Sequence, residues 1–205
     1  MDYISKSLNE IVFVGPLGPM IHPTLSSLPQ IAIDGGEPFS QNPLLWIGDG
    51  DSLNRVPVTK NIIQLRRQKD LSDLAYSLSL LKDHPLQKLH LWGFSGGRMD
   101  HELFNLGETA LFLKNRAQTE VHYYRETDVP VLFFYSAGTW DFNFAGTFSV
   151  GALETLNLTL TGALEYPIPH RKEVAPLSSF CLSNKARGEF KICADSPFFI
   201  VKENS

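Results

Sequence analysis

Compact, mostly apolar runs of three or four residues punctuate the first half of the chain, at 11–14, 31–33, 44–47, 62–65 and 89–92. Each is followed by Gly, Asp, Pro or charged residues. Runs that do not alternate with polar positions predict strands covered on both faces, as in a parallel sheet. Between them the spacing changes to that of a helix. Leu71, Leu74, Ala75, Leu78 and Leu81 fall on one face of a helix starting at Asp70. A second helix follows Asp100, with Leu103, Leu106, Ala110 and Leu113 as its stripe. Strands alternating with helices predict an open, mainly parallel α/β sheet. Near Arg125 the pattern changes again. Runs at 131–135, 146–150, 156–160, 179–182, 189–193 and 198–201 are separated by glycines and prolines and show no helical periodicity. They predict a small antiparallel β-sandwich. The expected division is an α/β domain over 1–125 and a β-sandwich domain over 126–205.

Polar patches interrupt this frame in a fixed order. Asp34-Gly35-Gly36 and Gly48-Asp49-Gly50-Asp51-Ser52 each come directly after a predicted strand. In open α/β sheets ligands lie outside the carboxyl ends of the strands, so Asp34 and Asp49 are expected to project into that crevice. If the extended geometry persists through Gly50, Asp49 and Asp51 face the same side and can share one Mg²⁺; a polar turn is the competing reading. Leu53 occupies a ligand position of the helix–loop–helix calcium site, which excludes that motif. Lys69-Asp70-Leu71-Ser72-Asp73 opens the first helix. Asp70 is a natural N-cap and Asp73 suits the positive end of the helix dipole, while Lys69 places a cation beside both.

The stretch from Gly93 through Gly96, Gly97, Arg98 and Asp100 to His101 is the most specific local signal. Its glycines let backbone pass close to a ligand, and Arg98 offers a planar, permanently charged fork. Asp100 is placed to cap the next helix or to orient a substrate hydroxyl. Neither a Walker loop nor a dinucleotide fingerprint is present, and Asn105 stands where a zinc helix needs its second histidine. Ser183-Asn184, far along the chain, reads alone as a turn. Together the patches indicate a divalent metal, a polyphosphate and a small polar substrate.

Charge and composition remove several alternatives. Lys+Arg of 18 against Asp+Glu of 22 gives a net charge of -4, and no basic run exceeds Arg66-Arg67, which disfavours nucleic acid. No apolar run approaches bilayer-spanning length, and the polar first ten residues lack the order of a signal peptide, so the cytoplasm is expected. Cys181 and Cys193 read as reduced packing residues.

The motifs, in this order, resemble the thiamine pyrophosphokinase family. The matching pieces are Asp34-Gly-Gly, Gly-Asp-x-Asp-Ser at 48–52, Lys-Asp-x-Ser-Asp at 69–73, Gly-Gly-Arg-x-Asp-His at 96–101 with Asn105, Gly-x-x-x-Tyr-Pro at 162–167, and Ser183-Asn184. The resemblance implies a homodimer whose active site lies between one subunit's α/β domain and the partner's sandwich, and transfer of pyrophosphate from ATP to the hydroxyl of thiamine. It implies that Asp49, Asp51 and Asp73 hold Mg²⁺, and that Asp34, Lys69, Asp70 and Arg98 line the ATP site. Asp100 would lie near the thiamine hydroxyl, making Asp73, Arg98 and Asp100 the catalytic set. Ser183 and Asn184 of the partner subunit would meet the aminopyrimidine. Three departures stand out: the short 37–47 segment, Gly50 in place of a bulky apolar residue, and no tryptophan at 195–202. They keep two alternatives open, a pyrophosphokinase acting on another small alcohol and a non-catalytic binding relative.

Overall fold

The structure, a computed structural model, describes residues 4, 7–51, 58–68 and 70–203. The fold is mixed α/β and divides into two compact units, Met1–Phe112 with Val121–Pro130, and Leu113–Glu120 with Val131–Ser205.

The first unit carries β1 (Glu10–Val14), α1 (Pro23–Ser26), β2 (Gln30–Ile33), β3 (Leu45–Gly48), β4 (Ile62–Gln64), α2 (Asp73–Leu80), β5 (Lys88–Trp92), α3 (Met99–Leu113) and β6 (Glu120–Tyr124). Five of its strands pair in parallel in the order β5-β1-β2-β3-β4. β1 is an interior strand, paired with β5 on one side and β2 on the other, and Ile11, Val12, Phe13 and Val14 have no exposed surface, as its non-alternating run requires.

Both helices depart from their predicted faces. α2 begins at Asp73 rather than Asp70, because Ser72 supplies the cap by accepting a hydrogen bond from Ala75 N at 3.1 Å. Leu71 is left outside the helix and exposed, while Leu74, Ala75 and Leu78 are buried. In α3 the expected stripe fails at Leu103, which is 59% exposed; Thr109 and Leu113 are the fully buried positions. A polar contact sets this rotation: Thr109 Oγ1 lies 2.6 Å from the Tyr123 hydroxyl, which donates to Asn105 O at 2.9 Å. Burial raises the pKa of the Tyr123 phenol and keeps it a donor.

A second polar network joins β1, β5 and β6. His90 is buried, with Nε2 at 2.7 Å from Glu10 Oε1 and Nδ1 at 2.8 Å from the Tyr124 hydroxyl. Burial holds its pKa below the usual histidine value, with His122 and Lys88 acting the same way and Glu10 opposing. The folded state therefore favours neutral imidazole, whose stabilisation is complete above the unfolded pKa of about 6.5. As pH falls from there towards the depressed folded value the unfolded chain binds the proton first, so stability drops by up to about 1.4 kcal/mol per pH unit. Thermal melts between pH ~7 and ~5 are expected to show this slope, and His90→Gln to flatten it.

The second unit contains β7 (Leu132–Tyr135), β8 (Gly138–Gly151), β9 (Leu156–Leu164), β10 (Ile168–Val174), β11 (Asn184–Ala194) and β12 (Phe198–Lys202). All of its described pairs are antiparallel, in the single order β10-β9-β11-β8-β12-β7. The strands thus hydrogen-bond in one continuous order, and two separately paired sheets are not seen among the described residues. The reason lies in β8, whose 14 residues pair with β11 up to Phe148 and with β12 from Phe148 onward, bridging what would have been two sheets. Among the described strand pairs, antiparallel ones outnumber parallel ones, and the parallel ones join β1, β2, β3, β4 and β5. One face of the ladder buries Phe148, Phe190, Ile192, Phe198 and Ile200, with the Phe148 and Phe190 rings stacked at 5.0 Å.

The strand expected at 179–182 is a 3₁₀ turn, Ser179–Cys181, because the Ser178 hydroxyl accepts from Phe180 N at 3.2 Å. Cys181 and Cys193 are both free thiols, and burial pushes Cys181 up to about 11. Among the described residues no helix is long and apolar enough to cross a membrane.

Candidate functional site

At the carboxyl ends of β2 and β3 the chain turns sharply and leaves carboxylates behind. Asp34 follows β2 and opens a 3₁₀ turn, Asp34–Phe39, with its own φ at 50°. Trp46 Nε1 donates to Asp34 O at 2.8 Å and fixes that backbone. Asp49 follows the last residue of β3, and Asp73 is the first residue of α2. These three side chains each present an oxygen, all within 4.8 Å of one another. One oxygen of Asp34 and one of Asp73 are fully buried. Three carboxylates this close repel strongly unless a cation joins them. An all-oxygen donor set selects a hard ion, and Mg²⁺ in particular is held by few carboxylates together with substrate phosphates. The residues fit a divalent ion.

Asp51 stands differently. Gly50 is left-handed, at φ 79°, so the extended geometry expected between Asp49 and Asp51 is broken, and Asp51 N donates instead to Asp49 Oδ1 at 3.2 Å. Asp51 lines the same cleft but lies outside the three-carboxylate group, while Asp34 belongs to it. Asp70 is exposed and does not line the cleft. Lys69 and Ser52 lie outside the described residues.

The opposite wall of this cleft, about 540 Å³ in volume, is the glycine-rich loop after β5, including Gly93 and Arg98, with Asn105 of α3 beside it. Gly93 requires glycine on two counts: φ is +76°, and a Cβ would lie 2.5 Å from Gly18 N. Asn105 Nδ2 donates to Phe94 O at 3.2 Å and ties the loop to α3. Arg98 is 73% exposed, and its fork meets Asp100 through Nε at 3.1 Å and Nη2 at 2.6 Å. The Arg98 guanidinium, first, and then the His101 N–H hold the Asp100 carboxyl below the usual carboxylate range. Arg98 and Asp100 therefore neutralise each other in this state. Sequence reasoning missed Arg125, which directly follows β6 and bonds Ser95 and Glu102 beside this loop. An isolated arginine after a strand carries no motif that would have marked it.

Ser183 and Asn184 belong to the second unit. Ser183 has φ 56° and its N–H donates to Ser149 Oγ at 3.0 Å. Asn184 is buried, and its amide is engaged by backbone. Oδ1 accepts from Tyr166 N at 3.1 Å and Lys185 N at 2.8 Å, and Nδ2 donates to Tyr166 O at 2.8 Å. Two separated motifs, 162–167 and 183–184, thus meet, and Tyr166, Phe180 and Leu182 present exposed apolar surface there.

A parallel α/β unit with a carboxylate cluster and a glycine-rich loop in one cleft, followed by an antiparallel unit, defines a mixed α/β class of fold. It is the thiamine pyrophosphokinase fold. The thiamine pyrophosphokinase from Bacillus subtilis matches with a TM-score of 0.71 at 18% identity, covering 97% of this chain and 100% of that one. The enzyme from Geobacillus thermodenitrificans gives 0.70 at 19% identity, covering 97% and 98%. That from Candida albicans gives 0.75 at 12% identity, covering 96% and 90%. At these identities the likeness is one of fold. No protein-family model and no curated protein sequence matches the chain.

Proposed function

We propose that this protein is a Mg²⁺-dependent thiamine pyrophosphokinase of the cytoplasm, transferring pyrophosphate from ATP to thiamine to give thiamine diphosphate and AMP. The observation that carries the reading is the convergence of Asp34, Asp49 and Asp73, drawn from three separate motifs, in one cleft with the Gly93–Arg98 loop. Shared fold and motif order support it further. In this reading Asp34, Asp49 and Asp73 would hold Mg²⁺, with Asp51 beside them in the cleft. Bound there, the ion supplies charge neutralisation for the polyphosphate, the main requirement of phosphoryl transfer. Arg98 exchanges its contact with Asp100 for phosphate oxygens, which it can grip with paired hydrogen bonds. Asp100, so released, orients the thiamine hydroxyl. The hydroxyl oxygen bonds to the β-phosphorus, the bond from the β-phosphorus to the AMP oxygen breaks, and the hydroxyl proton leaves to water. Lys69 and Asp70 complete the ATP contacts. The second unit serves thiamine binding and dimerisation: Ser183 and the Tyr166 ring contact the ligand from the partner subunit, and Asn184 shapes that surface through the Tyr166 backbone.

Pure protein given ATP, Mg²⁺ and thiamine is expected to form thiamine diphosphate and AMP, resolved by chromatography. Formation of ADP, or no turnover beside a competent control enzyme, overturns the reading. Light scattering tests the dimer. A second acceptor has one observation in its favour: the described chain between β2 and β3 makes only a 3₁₀ turn, with no α-helix there to shape the site. AMP release stimulated by another small alcohol and indifferent to thiamine selects that alternative.

A further inference from the structure

The glycine-rich loop is held by a pair of side chains that none of its glycines can replace. Arg125 Nε donates to Ser95 Oγ at 3.3 Å, and its Nη2 donates to Glu102 Oε1 at 3.2 Å. The second oxygen of Glu102 accepts from Gly96 N at 3.3 Å. These bonds close a circuit around the Ser95–Gly96 peptide, tying the loop at once to the first turn of α3 and to the end of β6. Gly96 lies at φ +92°, where glycine is free but carries no side chain to fix itself. Arg98 stands only two residues further on, so the direction of its fork follows from the shape of this turn.

We propose that Arg125 and Glu102 are positioning residues that brace the 93–97 loop in the form that presents its amides and Arg98 to the phosphates of the nucleotide. This rests on the reading above that the loop meets ATP. The pair is half-exposed, with Arg125 53% and Glu102 28% accessible, so as an ion pair it contributes little to global stability. Its value is geometric. A planar guanidinium meets Ser95 and Glu102 in one plane, which a lysine ammonium cannot do.

The test compares Arg125→Ala, Arg125→Lys, Glu102→Gln and the Arg125→Ala/Glu102→Gln double variant with wild type. Hydrogen exchange in the nucleotide-free protein reads the loop directly, and calorimetry with Mg²⁺ and a non-hydrolysable ATP analogue reads binding. In Arg125→Ala the Gly96 amide is expected to exchange roughly tenfold faster, and the KM for ATP to rise between about tenfold and a hundredfold while that for thiamine stays within about twofold. Arg125→Lys does not rescue either readout, and the double variant is no worse than the more impaired single one, as members of one circuit are not additive. Unchanged exchange in Arg125→Ala overturns the brace. Faster exchange with unaltered nucleotide affinity overturns the positioning role, and rescue by lysine means that Arg125 acts as a charge on phosphate instead. If wild type binds no nucleotide the functional reading falls, and the exchange arm still decides whether the circuit orders the loop.

Discussion

If the proposed function holds, Asp73→Asn is expected to lower pyrophosphoryl transfer by about two orders of magnitude or more, and to leave a protein that melts no lower than wild type. The two halves of this result have separate causes. Asp73 offers one of the three oxygens that lie within 4.8 Å, so losing its charge would weaken the seat proposed for the ion and with it the proposed grip on the polyphosphate. The fold depends little on that charge. Ser72, not Asp73, caps α2, and the bond from Ser77 Oγ to Asp73 O uses backbone that asparagine retains. Loss of a favourable charge at the helix start costs about 0.3–1 kcal/mol. Against this stands relief of repulsion among three like charges, on the order of a few kcal/mol at an effective dielectric near 20. Repulsion is the larger effect, so the metal-free variant is expected to melt at the same or a higher temperature. Mg²⁺ bound at the proposed site is expected to stabilise wild type by mass action, about 1.4 kcal/mol at a concentration tenfold above Kd, and to stabilise the variant less. Melting curves across a Mg²⁺ titration, run beside a turnover assay, read all three quantities. Near-normal turnover, or a Mg²⁺ shift as large as that of wild type, would sink the assignment of Asp73 to the ion.

Which of these features could be read from sequence depended on how local their causes are. The run at 11–14 announced a strand buried on both faces because side chains with no polar alternation have no other stable home, and β1 is that strand. Asp34 and Asp49 were placed at strand ends by the same logic. Failures arose where a distant partner decides. Leu71 and Leu103 have the right spacing for buried helical faces and are exposed, since Ser72 sets where α2 starts and Tyr123 sets which face of α3 turns inward. The single antiparallel ladder depends on β8 changing partners at Phe148, which no window of sequence contains. The pairing of Asn184 with Tyr166, and of Arg125 with Ser95 and Glu102, joins residues 18 to 30 positions apart. Motif order indicated that such segments mattered, but only packing shows what each side chain does.

Gly36→Ala is expected to damage the fold more than any surface change, although it adds a single methyl group. Gly36 is buried in the 3₁₀ turn after β2, and a Cβ there would fall 1.9 Å from Val14 O, 2.6 Å from Val14 C and 3.0 Å from Gly15 C. The obstacle is backbone, so no rotamer can yield. Val14 is also fixed from both sides, paired with Ala32 of β2 and Trp92 of β5, so relief means parting β1 from a neighbour. Overpacking of this kind, with loss of ladder pairing, costs about 3–5 kcal/mol. In a chain of this size that lowers Tm by roughly 6–20 °C. Gly107→Ala is the internal control: it lies within α3 with nothing within 4 Å of its Cβ, and alanine there gains roughly 0.5–1 kcal/mol. Thermal melts of the two variants should move in opposite directions, and Gly36→Ala melting within a degree of wild type would mean the turn is looser than this packing allows. Asp34 stands two residues before Gly36, so any shift that accommodates the methyl also displaces a carboxylate of the cluster. The same substitution should therefore abolish the Mg²⁺-induced rise in Tm even at temperatures where the variant remains folded.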